Sequence, residues 1–307
     1  MLSTLLSLLS PTQRYRKVLS FSLTAGSVHA LAISIDGAIL AAGGTHGIQL
    51  RNIETRKEIS ITTHLESRGI VSSAIWIKTK YALGETLCYG TALGYVVFVQ
   101  LSPVEKQKYY QEICARRLGA GLEVTCFAWD PSSSESSHIA VGTRDHAVQV
   151  LSLSSGSQLQ SMFAGCIDNT VPKVLCFADR SLYVFGLYDG KVIKLSIKDG
   201  TIMSENRCRS VIGSAAVYLK KGVFVIDNAT DGFTLYHLDG ADPIRMFVTD
   251  PLCIPVPKQV AFGEGSKVVI GGGSNGSVFV FARRTGRPLA TLQHTRGALV
   301  QTIGVSA

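Results

Sequence analysis

The chain has 307 residues, 46% hydrophobic and 17% charged, with 30 glycines, 9 prolines and a formal net charge of +8. That balance gives a well-buried core with many tight turns and excludes a disordered or low-complexity chain. The surplus of positive charge favours acidic partners.

Residues 1–15 read as a leader. The apolar run in "MLSTLLSLLS" is too short to cross a bilayer, no basic residue precedes it, and no small-x-small cleavage site follows. Two readings are open: an ordinary leader, which we favour, or a mitochondrial presequence, given Arg14, Arg16 and Lys17 behind the run. "KVLSFSL" (17–23) then reads as a lone outer strand.

From Val28 a pattern repeats. "VHALAISIDGAILAAGGTHGIQLRNIETRKEI" is followed by comparable units from Val71, Val124, Val174, Ser214 and Lys258. Each has an apolar strand, a turn, a second strand, a tight turn ending in Gly or an equivalent, a third strand, a turn and a fourth strand. Apolar and polar residues alternate with the strand period of two, and no helical period lies between them. Four-stranded units at about 40–50 residues are the signature of a β-propeller, because one small sheet cannot bury both its faces alone. We therefore expect an all-β domain over 16–307 with six complete four-stranded blades.

The pattern resembles the WD-repeat family over roughly residues 17–306. The best copy is "HIAVGTRDHAVQVLSLSSG", and Asp145, Asp189 and Asp231 stand where that family carries its turn Asp. The resemblance implies that these three hold the turns between second and third strands. His46, Leu93 and Asn275 replace the Asp elsewhere, the third-strand Trp is missing throughout, and only His294 resembles the Gly-His pair. By the same resemblance, the strand at 17–23 would complete the last blade.

Chemistry-bearing motifs are missing from the sequence. There is no GxxxxGK[ST], HExxH or GxSxG, and no Cys/His pair at metal-ligand spacing. "GGTHG" (43–47) and "GGGSNG" (271–276) run from strand to strand with no helix behind them, so turn geometry explains their glycines. His46 and His146 read as turn residues, and Trp76 and Trp129 as packing between blades. The sequons at Asn228 and Asn275 fall in turns, where Asn is expected anyway. Seven Cys occur without a CxxC pair, and Cys126 and Cys176 hold equivalent strand positions. Buried reduced thiols favour a cytoplasmic or nuclear protein. We expect no catalytic residues, no metal and no cofactor, and nothing indicates a small-molecule substrate.

In a propeller, turns between strands one and two and between three and four share one face. Arg56, Lys57, Lys78, Lys80, Lys106, Lys108, Lys220, Lys221, Arg283, Arg284 and Arg287 all fall in such turns. They form a candidate face for an anionic partner, with Glu54, Glu58 and Glu105 partly cancelling it. The favoured function is a protein-interaction scaffold. The alternative is electrostatic binding of nucleic acid or a phosphoinositide membrane surface. For the lipid, phosphoinositide-binding propellers carry paired Arg residues, whereas "QHTRG" (293–297) offers one.

Residues 298–306 align with a first strand, Val300 with Val28 and Ser306 with Ser34. We expect them to open a seventh blade that lacks its two middle strands. Either the chain is incomplete, the favoured expectation, or another chain supplies the missing strands.

Overall fold

The structure is a computed structural model that describes residues 14–15, 20–21, 26–63, 68–79, 82, 84–102, 109–132, 137–154, 156–249, 256–294 and 297–305. The leader before Arg14 and most of the strand expected at 17–23 lie outside the described residues, as do Lys80, Lys106, Lys108 and Cys253.

Six sheets, each built on four antiparallel strands in sequence order, form a propeller. Blade 1 comprises β1 (Val28–Ile33), β2 (Ile39–Gly44), β3 (Gly47–Asn52) and β4 (Glu58–Ile59). A two-residue strand, β5 (Ile61–Thr62), precedes blade 2, which is built from β6 (Val71–Ile77), β7 (Thr86–Thr91), β8 (Tyr95–Leu101) and β9 (Tyr110–Arg117). β5 pairs in parallel with β9, so blade 2 carries a fifth strand on its outer edge. Blade 3 holds β10 (Val124–Asp130), β11 (Ser137–Thr143), β12 (Ala147–Leu153) and β13 (Leu159–Cys166). Blade 4 holds β14 (Pro172–Ala178), β15 (Ser181–Gly186), β16 (Lys191–Ser196) and β17 (Ile202–Arg207). Blade 5 holds β18 (Ser214–Tyr218), β19 (Val223–Asp227), β20 (Gly232–His237) and β21 (Pro243–Val248). Blade 6 holds β22 (Val260–Gly263), β23 (Val268–Gly272), β24 (Ser277–Ala282) and β25 (Pro288–Gln293). A single 3-10 turn, Leu219–Lys221, is the one helical element among the described residues.

The core lies between blades. Strand period sends neighbouring residues to opposite faces, and here each face meets another blade. In β8, Val97 and Val99 join Trp76 and Leu50 in the cluster between blades 1 and 2, while Val96 and Phe98 join Ile139 and Val141 between blades 2 and 3. In β15, Leu182 and Val184 face blade 3, while Tyr183 and Phe185 face blade 5. A further cluster joins blades 5 and 6 through Val225, Phe233, Val269 and Phe281. Middle strands are therefore buried on both sides: β7 (TLCYGT), β15 (SLYVFG) and β19 (VFVID) have no exposed residue. The polar-apolar alternation expected for every strand fails there, because no face of a middle strand meets water.

The tryptophans pack as the sequence indicates. Trp76 is buried, sits edge-on to Tyr110, and donates its indole N–H to Ala32 O of blade 1 at 3.2 Å. Trp129 packs into the cluster between blades 2 and 3. Cys126 is buried and Cys176 partly so; both are free thiols, pushed up to about 11 by burial. Cys166 is also free but exposed, unlike the buried thiols expected.

The boundary between blades 6 and 1 is made differently. Residues 298–305 hold no regular strand, and they lie across that boundary. Val300 N donates to Gly273 O, Gln259 N donates to Gln301 O at 2.9 Å, and Ile303 N donates to Gln259 Oε1 at 2.8 Å. On the blade 1 side, Thr302 Oγ1 donates to His29 O at 3.3 Å, and Gly304 lies beside Ile33. The last two residues of the leader, Arg14 and Tyr15, bind Glu264 of blade 6, and the Arg51 guanidinium covers the Phe21 ring.

Candidate functional site

The first strands surround the propeller axis, and their starts carry a repeated irregularity. The register of β1, β6, β10 and β14 against their partners slips at the second residue of each strand. The slipped residues are His29, Ser72, Thr125 and Lys173. A β-bulge leaves one residue unpaired and re-aims its side chain. All four line a cavity of about 490 Å³ at the start of the first strands, together with Ser214, Gln259 and Thr302.

Two of these bulges join consecutive blades. Ser72 Oγ donates to Val124 O of blade 3 at 2.7 Å, and Thr125 Oγ1 donates to Pro172 O of blade 4 at 2.5 Å. In blade 4 the same position holds Lys173, half-buried and without an ion pair among the described residues. The other charges on the wall are matched. Arg144 Nε lies 3.1 Å from Glu123, and Lys258 Nζ lies 3.1 Å from Asp227.

The Asp227–Lys258 pair ties blade 5 to blade 6. Asp227 Oδ2 also accepts from the Lys258 amide at 2.8 Å, and Lys258 Nζ donates to Val256 O. Burial holds the Asp227 carboxyl above its ordinary range, with the bonds to Lys258 only partly opposing that. Gly213 makes room for the pair: a Cβ there would lie 2.4 Å from Asp227 Oδ2. Nothing in the repeat pattern singled out this pair, since the sequence pointed to Asp231 four residues on. A Lys at the head of an otherwise apolar first strand was the available signal.

The three turn aspartates sit in the turns between second and third strands. Asp189 Oδ1 accepts from the Lys191 amide at 2.9 Å, and Asn275 does the same for Ser277 at 3.2 Å. Asp145 accepts from Thr143 Oγ1, and Asp231 from Asn228 Nδ2 at 2.6 Å. These turns need a left-handed residue after the Asp or its substitute. Gly47, Gly94, Gly190 and Gly276 supply it, whereas blade 3 places His146 there with φ 65°.

Four exposed apolar side chains share the face of the cavity. Ile70, Leu93, Leu122 and Tyr188 are 39, 43, 47 and 45% exposed, and Ile70 and Tyr188 reach the cavity wall. Tyr188 also holds a left-handed backbone at φ 65°, a strained conformation for a bulky residue.

Those basic residues nominated from sequence that the structure describes lie on the opposite face. Arg56 and Lys57 occupy the turn between β3 and β4, and Lys78 that between β6 and β7. Lys220 and Lys221 lie between β18 and β19, and Arg283, Arg284 and Arg287 between β24 and β25. Arg283 Nε is engaged with Ser266 O at 2.6 Å. Acidic residues lie on the same face: Glu54 in a basic turn, Asp36, Asp179, Asp199 and Asp239 in other turns, and Asp130 at the end of β10. Glu85, at the far end of Lys78's turn, caps the amides of Ile35 and Asp36 in blade 1. The described part of this face thus mixes both signs.

Among the described residues, no three His, Cys, Asp or Glu side chains converge as a metal site would require, and no helix is long and apolar enough to cross a membrane. No family model matches the chain, and none of the curated proteins matches it.

Proposed function

We propose that this chain is a non-catalytic protein-interaction scaffold of the WD-repeat type, working in the cytoplasm or nucleus and docking its partner on the central face. The observation that carries the reading is the arc of Ile70, Leu93, Leu122 and Tyr188 around the central cavity. Exposed apolar groups gathered on one face of a rigid ring mark interaction surfaces more often than scattered ones do. Tyr188 fits the role of an anchor: a large amphipathic ring on a left-handed backbone whose N–H is held by Ile212 O at 2.9 Å.

The opposite face supports the alternative reading less well. Lys220, Lys221, Arg284 and Arg287 are exposed and free of ion pairs among the described residues, yet carboxylates occupy neighbouring turns.

A photo-crosslinking residue placed at position 93 or 122, and separately at 220, tests the choice in cells that make the protein. Partner adducts at 93 and 122, abolished by Ile70→Asp or Tyr188→Asp, are expected. Adducts formed at 220 and not on the central face would overturn the reading.

A further inference from the structure

We propose that the central cavity seats one carboxylate side chain of a protein partner against the ammonium of Lys173; this rests on the central face being the docking surface.

Lys173 occupies the bulge position that Ser72 and Thr125 hold in the preceding blades. There, each hydroxyl is spent on a carbonyl of the next blade. A lysine at that place cannot repeat the short hydroxyl latch, and its bulge turns it to the cavity instead. Arg144 and Lys258 already have carboxylate partners. Lys173 is thus the surplus charge on the wall, held half out of water with no counter-ion among the described residues. An arriving carboxylate replaces its remaining hydration with an ion pair in a less polar setting, where the attraction is stronger than in water.

The same wall says what kind of anion fits. One uncompensated ammonium matches one carboxylate, whereas a phosphate monoester carries nearly two charges and would need a second free cation. Ile70, Leu187, Tyr188 and Pro257 beside Lys173's cavity ask for apolar groups flanking the acid. Leu93 and Leu122 extend that apolar surface past the rim, farther than a small organic acid would cover. An Asp or Glu set between apolar residues on a partner's loop satisfies both demands.

The test is a random peptide library displayed against the full chain and against Lys173→Gln, Lys173→Arg, Lys173→Glu and Tyr188→Asp, each first checked for an unchanged thermal melt. Wild-type protein and Lys173→Arg are expected to enrich peptides with an acidic residue between apolar ones. Lys173→Gln should bind them about tenfold more weakly, and removing the peptide's acid should cost the same without adding to it. Lys173→Glu should enrich basic peptides instead. Peptides lost with Tyr188→Asp but showing no acidic preference, or an acid indifferent to Lys173→Gln, would overturn the inference and leave the docking surface standing. Peptides indifferent to Tyr188→Asp as well, or no enrichment at all, would overturn both.

Discussion

The ammonium of Lys258 lies 3.1 Å from the carboxylate of Asp227, and the two side chains are 2 and 0% exposed. They come from different blades, so the pair acts as a rivet between the segment leading into β22 and the end of β19. Desolvating both ions offsets most of their attraction. Removing one partner alone strands a buried charge: Lys258→Met should lower unfolding free energy by about 3–5 kcal/mol. The double variant Asp227→Leu with Lys258→Met should recover most of that loss, as denaturant unfolding would show. A double variant as unstable as the single one would mean that the pair itself holds the blades together.

The same pair carries a pH signature. Burial raises the folded Asp227 carboxyl above its unfolded value, so the folded chain binds that proton more tightly. Its contribution to stability is full below the unfolded value and is lost as pH rises through the folded one. Unfolding followed upward from the ordinary carboxylate range should show the wild type losing stability relative to the double variant. Parallel curves would contradict the raised carboxyl.

The bulge hydroxyls of Ser72 and Thr125 reach across two different blade boundaries. Ser72→Ala and Thr125→Val should each cost about 1 kcal/mol. They bond different carbonyls, Val124 O and Pro172 O, but Val124 adjoins Thr125. The departure of the double variant from the sum therefore measures how far the two boundaries are coupled. Strong non-additivity, read from chemical denaturation, would show that the two boundaries open as one.

Gly272 faces the segment across blades 6 and 1: a Cβ there would fall 2.0 Å from Val300 O. Gly272→Ala should displace residues 300–303 and speed amide exchange at Ile303, whose N–H is held by Gln259. Unchanged exchange there would show that the boundary does not depend on this approach.

His146 takes the left-handed turn position that glycine fills in blades 1, 2, 4 and 6, and its Nδ1 is buried without a partner among the described residues. His146→Gly should therefore stabilise the protein by about 0.5–1 kcal/mol. A lower melting temperature would show that the imidazole is held by packing worth more than the strain.

The sequence by itself determined the blades. All six units begin within two residues of where the first strands begin, and in Trp76 and Trp129 it located packing between them. Strand period and turn chemistry are local, so a few consecutive residues carry the signal. It also sorted the basic turns onto one face, since up-and-down order fixes which turns lie together. The tertiary structure alone decided which charges are spent and which are free. Asp227 and Lys258 lie 31 residues apart, and Ser72 meets a carbonyl 52 residues away. Only the ring brings successive first strands around one axis, where their bulges meet and leave Lys173 unmatched. That is why the apolar arc and its free lysine, on the face opposite the basic turns, could not be read from spacing.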